Sequence, residues 1–369
     1  MTTTSDVAVI GAGIVGLSAA HAVRSRGYSV TVFESGTPGS GQSAGVSRIF
    51  RHAHDDPRMV ALAVRARRQW RDWEDTFGVR LVSDDGALAL GPTAVRRLAL
   101  LEDHPDIGAR LVDRDELASL LPILGHYDGG AVFDPNGGSI DTRTAIARLA
   151  DEAREATTGA GLIAEQAITV RDRSNGVEIR TPTTLSTHGA AVVAAGRGTA
   201  ALARALSVAI PVELGAHVRV SFALREVPDR LPTLQDGSGA FGVSGVYAAA
   251  YPDRSAFGLG LSDSVVAHDD GAIDDVDALA RSADNAIAYA SRALPGLVHE
   301  PIGIVHCWVT RLPWGDDGVA IWKSGNAYVI AGHNLFKHAP VLGEALAESV
   351  VAGTVAEPFR PEDRLGAAD

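Results

Sequence analysis

Three glycines and one carboxylate carry the most specific chemistry in this chain. Gly11, Gly13 and Gly16 stand in the run Gly11-Ala12-Gly13-Ile14-Val15-Gly16, and Glu34 follows further along. Gly11 permits a tight turn, Gly13 lets the backbone approach a pyrophosphate, and Gly16 allows a helix to pack closely on a strand. The N–H groups at the helix start, where Ile14 and Val15 stand at the positive end of the helix dipole, suit an anion. Glu34 is placed to accept hydrogen bonds from ribose hydroxyls, and its charge disfavours a 2′-phosphate. The elements needed to position these groups are present: an apolar strand at 7–10, a helix after the glycines, and a second strand ending at Glu34. Together they predict a Rossmann-type unit holding an adenine dinucleotide.

Other reactive types are few. Cys307 is the only cysteine, which excludes an intramolecular disulfide and a cysteine zinc site, and the 12 histidines lack metal-ligand spacing, so no metal is expected. Lys323 and Lys337 are the only lysines among 33 basic residues, which makes a retained lysine at 337 a candidate for a chemical requirement. A net charge of −12 argues against nucleic-acid or anionic-membrane partners. The start, MTTTSD, carries no basic region, the apolar run after it is broken by Gly11 and Gly13, and no apolar run reaches spanning length. A cytoplasmic protein is the expectation.

At 369 residues the chain has length for two domains. Met59, Leu62, Ala66, Trp70, Trp73 and Phe77 recur at helical spacing behind Pro57, an amphipathic helix whose tryptophans read as core. Asp141 is a plausible cap for a helix running to about Thr157. Residues 189–198 read as a buried strand ending in a glycine turn, and strand-like runs cover 212–224, 244–251 and 256–261. A helix-like segment at 276–294 precedes runs at 302–310 and 328–331 and a final helix from about 339 to 350. The expected fold class is α/β: a nucleotide domain (1–80, 141–210 and 303–369) interleaved with a strand-rich α+β substrate domain (81–140 and 211–302).

Further segments narrow the cofactor. The strand at 190–195 with Gly196-Arg197-Gly198 resembles the second glycine motif of two-domain flavoproteins, and Ala327-Tyr328-Val329-Ile330-Ala331-Gly332 resembles their segment returning to the isoalloxazine ring. Ser47-Arg48-Ile49-Phe50-Arg51-His52-Ala53 resembles the arginine-containing loop of the monomeric sarcosine oxidase and N-methyltryptophan oxidase family, within the D-amino-acid oxidase superfamily. Phe133-Asp134-Pro135-Asn136-Gly137-Gly138, His306-Cys307-Trp308-Val309-Thr310 and Gly332-His333-Asn334-Leu335-Phe336-Lys337 resemble further segments of that family, in colinear order.

The resemblance implies an FAD-dependent amine oxidoreductase, monomeric, with FAD attached through Cys307. It places Ser43, Ser47, Arg48, Ala195, Gly196, Gly332, Leu335 and Lys337 at the cofactor beside the glycine fingerprint. Arg51 and Lys337 would clamp a substrate carboxylate, an arginine fork adding two parallel charge-assisted bonds. Tyr247, Tyr251 and Asn334 would line the substrate, with Arg48 and His333 near the flavin, where a cation stabilises the reduced ring. The implied reaction is hydride transfer from an amino-acid C–N bond to flavin N5, giving an imine, with oxygen as acceptor. A desaturase of a cyclic imino acid or carrier-bound amine, a dehydrogenase with another acceptor, and a non-catalytic flavin-binding protein are the alternatives. One position departs from the family: Gly260 stands where members carry a lysine that promotes reaction with oxygen. Slow reoxidation is therefore the expectation unless Arg254 or another cation substitutes.

Overall fold

The computed structural model describes residues 5–155 and 161–367. The chain forms two units, one from residues 1–44, 143–214 and 309–369, the other from 45–142 and 215–308.

The first unit is built on a six-stranded sheet in the order Val319–Ser324, Ala327–Gly332, Ala190–Val193, Val7–Ile10, Val30–Phe33, Leu162–Ile163. The Val7–Ile10 strand pairs in parallel with Val30–Phe33 and Ala190–Val193; only Val319–Ser324 runs antiparallel to its neighbour. Strands with both faces covered read as continuous apolar runs, as these do. The Ile14–Ser25 helix packs against the final helix, Ala339–Ala352, at a glycine: a Cβ on Gly343 would stand 2.5 Å from the Ser18 carbonyl oxygen. A separate antiparallel sheet, Thr169–Arg173, Gly176–Arg180 and Leu185–His188, lies outside the sequence expectations. Its short strands carry arginines and threonines that mask their alternation.

The second unit holds a nine-stranded sheet. Its centre is the antiparallel run Glu213–Leu224, Ala256–Leu261, Val246–Ala250 and Thr233–Asp236, and Leu297–Arg311 pairs with Glu213–Leu224. Beside it stands the helix Pro57–Phe77, opened by Asp56, whose carboxylate accepts the Arg58 N–H (2.8 Å), and closed by left-handed Gly78. Trp70 and Trp73 are buried edge-to-face at 5.0 Å, which makes them core. The helix after Asp141 spans Thr142–Arg154; its expected end at Thr157 lies outside the described residues.

Residues 45–80 fold with the second unit rather than with the nucleotide unit. The reason is pairing: Ser47–Phe50 forms a two-stranded ladder with Gly138–Asp141, and Arg67 donates from Nε to the Asn136 carbonyl (3.1 Å). A segment read as a loop is thus a strand, recruited by a partner ninety residues away. No helix among the described residues is long and apolar enough to cross a membrane.

Candidate functional site

In the first unit the glycine turn is shaped by contacts that only glycine allows. Gly11 has φ +101°, and a Cβ there would stand 2.5 Å from the Ala194 carbonyl oxygen. A Cβ on Gly16 would collide with the carbonyl of Gly11, so the helix lies directly against the turn. Gly13 caps the helix without a side chain, and the Ile14 N–H donates to Ser43 Oγ (2.9 Å). Glu34 braces the turn: Oε2 accepts the Ala12 N–H (2.7 Å) and Oε1 the Gly36 N–H (2.8 Å). A carboxylate offers about four lone-pair sites, so Glu34 retains acceptor capacity for ribose hydroxyls. Open glycine backbone, a helix start and a fixed carboxylate fit the adenosine diphosphate half of FAD. Ala195 and left-handed Gly196 stand nearby in sequence order after the third parallel strand, with Gln42 over Gly196 and bonded through Nε2 to Thr310 Oγ1 (2.9 Å).

The segment from Gly332 to Lys337 closes the same unit. Its backbone is anchored by the His333 N–H donating to the Gly318 carbonyl (3.2 Å), and Leu335 lies against Gly332. Asn334, in the left-handed region, donates from Nδ2 to Asp317 Oδ1 (2.9 Å), and Lys337 Nζ reaches the same oxygen at 3.5 Å. Lys337 is 5% exposed, so it is a buried cation held by a carboxylate. Burial, with Arg311 and Lys337 nearby, depresses His333 to about 4 against the attraction of Asp317, leaving a neutral imidazole at neutral pH. Asp317 carried no signal in the sequence: it sits in a loop, Trp314-Gly315-Asp316-Asp317-Gly318, that reads as an ordinary turn.

In the second unit Ser47, Arg48, Tyr247, Tyr251 and Cys307 stand near strands with a buried or half-buried polar face. The rows are set by register: Arg219 pairs with Gly260, Gly260 with Tyr247, and Ser221 with Gly258. A side chain on Gly260 would collide with Cζ and Oη of Tyr247, and one on Gly258 would stand 3.5 Å from Arg219 Nε. The two glycines therefore form a floor on which the tyrosine ring and the guanidinium lie. The Arg219 guanidinium carbon is 6.0 Å from the Tyr247 ring centre. Tyr247 Oη reaches the His217 ring at 3.2 Å, and Tyr251 donates to Ser221 Oγ at 3.0 Å.

Arg48 and Arg219 both donate from Nη1 to the carbonyl of Ser47, at 3.0 and 2.7 Å. Burial, then the like charge of Arg219, lowers Arg48 to about 10, while Cys307 and Tyr247 act in the opposite sense. Burial pushes the Tyr247 phenol up to about 12, so it stays protonated. Cys307 is a half-buried free thiol within electrostatic reach of Arg48 and Tyr247. Arg51, 9% exposed, follows the same strand; its neighbour His52 is tied to Asp134 by N–H (3.0 Å) and Nδ1 (2.8 Å) and is therefore structural.

Two expectations change. Arg254 is committed to Asp85, at 2.8 Å, and is no substitute for a cation at 260. Gly260 alone also ceases to imply slow reoxidation, because Arg219 supplies a buried cation in its cross-strand row. Arg219 was missed by the sequence reading. Its signal was the alternation in residues 216–222, where His217, Arg219 and Ser221 share one face opposite Ala216, Val218, Val220 and Phe222. Arg51 and Lys337, expected as a pair, belong to different units.

A parallel sheet carrying a glycine fingerprint, joined in one chain to a large antiparallel sheet with a cationic, aromatic face, defines a two-unit flavin-dependent oxidoreductase. The chain belongs to the DAO family of FAD dependent oxidoreductases, whose profile matches residues 6–349. It is 27% identical over 401 positions to the monomeric sarcosine oxidase of Streptomyces avermitilis, covering 100% of both chains. A second monomeric sarcosine oxidase, from Bacillus sp. (strain B-0618), is 27% identical over 223 residues, 58% of this chain and 56% of that relative. Among solved structures, the open form of NikD, an unusual amino acid oxidase essential for nikkomycin biosynthesis, superposes with a TM-score of 0.84. That match has 21% identity and covers 96% of each chain, a likeness of fold. The chain is thus an FAD-dependent oxidoreductase.

Proposed function

We propose that this enzyme oxidises the C–N bond of an amino acid or a secondary or cyclic amino acid to an imine, in the manner of the sarcosine oxidase type, with oxygen as acceptor. The observation that carries the reading is that Arg48, Tyr247 and Cys307 lie within electrostatic reach of one another in the second unit. Bound FAD supplies the hydride acceptor. Gly11, Gly13, Gly16 and Glu34 hold its adenosine diphosphate half, and Cys307 carries it covalently.

The protein's own groups then orient the substrate. Arg51 offers the fork that grips the carboxylate, because Lys337 is already paired with Asp317 at 3.5 Å. Lys337 adds a point charge, and neutral His333 contributes a hydrogen-bonding group without competing for the carboxylate. Tyr247 and Tyr251 line the substrate side and help exclude water. Desolvation in such surroundings favours the neutral amine, the form that yields its hydrogen as hydride.

Anaerobic mixing of the yellow protein with a panel of amino, N-methylamino and cyclic imino acids tests the reaction. Bleaching of the flavin band by one of them is expected; a band that no member of the panel bleaches refutes amino-acid oxidation. Acid precipitation tests the linkage separately. Colour should stay in the pellet, and move to the supernatant in Cys307→Ser; colour in the wild-type supernatant refutes covalent attachment.

A further inference from the structure

Arg219 is buried, with 8% of its surface exposed. No carboxylate stands within ion-pair distance of it among the described residues. Among the described residues its one hydrogen bond goes to the Ser47 carbonyl, an oxygen it shares with Arg48, and its Nε has no partner. A second guanidinium beside it adds repulsion. Buried charges are ordinarily paired, because desolvation otherwise dominates. The Tyr247 ring face offsets part of that cost. Its phenol cannot act as the counter-ion, since it remains protonated. Gly258 keeps the approach to Nε open, where any side chain would begin 3.5 Å from that atom.

We propose that Arg219, together with Arg48, is a receptor for one delocalised negative charge: a small carboxylate, or the ring of reduced flavin. This deepens the function proposed above and rests on its assignment of flavin chemistry to the neighbourhood of Arg48 and Cys307. Arg219, buried against one neutral oxygen that it shares with Arg48, is electrostatically complete only when an anion enters. A planar fork suits a charge spread over two or more atoms better than an ammonium does. Because the arginines pre-exist in position, the receptor needs no reorganisation when negative charge arrives.

The test uses the FAD-loaded protein and its Arg219→Gln and Arg219→Lys variants. Acetate is titrated while the flavin band is followed, and the two-electron midpoint potential is measured by equilibration with a dye. If the anion is a carboxylate, Gln weakens acetate at least tenfold and Lys recovers part of the loss, with the potential unmoved. If it is the reduced ring, Gln shifts the flavin equilibrium at least tenfold toward the oxidised form, about 30 mV for a two-electron couple, and acetate affinity holds. Should Arg219→Gln fail to fold, Arg219→Lys, which keeps charge but loses the fork, must show an intermediate shift in one of the two measurements. Acetate affinity and potential both within twofold of wild type in the folded variants would overturn the proposal. Acetate binding that depends on Arg219 in a protein that no amino acid bleaches would keep this receptor and sink the amino-acid reading. Bleaching by an amino acid with indifference to Arg219 would do the reverse.

Discussion

Replacing Gly260 by alanine tests the geometry of the cationic face directly. A Cβ at 260 would stand 2.9 Å from Tyr247 Cε2 and closer still to Cζ and Oη, so the ring must move. Overpacking of this kind costs about 1–3 kcal/mol. The displaced phenol also loses its contact with His217, now 3.2 Å, worth about 0.5–1.5 kcal/mol. Against this stands a gain of roughly 0.5 kcal/mol from removing a flexible strand glycine. The net loss of about 1–4 kcal/mol corresponds to a drop in Tm of roughly 2–16 °C for a unit of this size. Thermal unfolding of wild type, Gly260→Ala, Tyr247→Ala and the double variant completes a cycle. With the ring removed, Gly260→Ala should become nearly neutral, giving a coupling on the order of 1–3 kcal/mol. Additive effects would show that Tyr247 does not cover Gly260, and the row Arg219–Gly260–Tyr247 would be wrong. The same packing speaks against Gly260→Lys as a simple gain of charge, since the new side chain must first evict the tyrosine.

Gly16→Ala should abolish FAD retention and destabilise the first unit by several kcal/mol, because its Cβ meets backbone at Gly11 that cannot turn aside; a yellow, stable variant would refute the packing of helix on turn. Lys337→Met should weaken acetate or substrate carboxylate binding by about 1.5–3 kcal/mol, and it removes the 3.5 Å ion pair to Asp317. Adding Asp317→Asn should restore Tm but not affinity; restored affinity would remove Lys337 from the substrate site. His333 is depressed from 6.5 to about 4 in the fold, so the native state favours its neutral form. Its contribution to stability is present above pH 6.5 and is lost as pH falls toward 4, at up to about 1.4 kcal/mol per pH unit. Urea unfolding of His333→Gln should show a shallower acid loss across that window, and an unchanged slope would refute burial of the neutral ring.

What the sequence determined by itself was whatever depends on neighbours in the chain. The nucleotide unit was legible because its chemistry is local. Strand, glycine turn, helix and Glu34 lie within thirty residues, and the glycine spacing answers to backbone contacts such as Gly11 against Ala194 and Gly16 against Gly11. The helix Pro57–Phe77 was legible for the same reason, with its cap, its proline and its apolar period in one segment. Tertiary structure decided the rest. Ser47–Phe50 became a strand only because Gly138–Asp141 lies beside it, which carried residues 45–80 into the second unit. Asp317 is an ordinary turn residue until the chain brings it under Asn334 and Lys337. Arg219 shows the limit most plainly. Alternation put it on a polar strand face, a face that is commonly solvated. Antiparallel register then laid that face against Gly258, Gly260 and Tyr247 and buried it. Register is a property of paired strands, not of any one of them, so it could place a cation on that face in the interior where no single strand's pattern could.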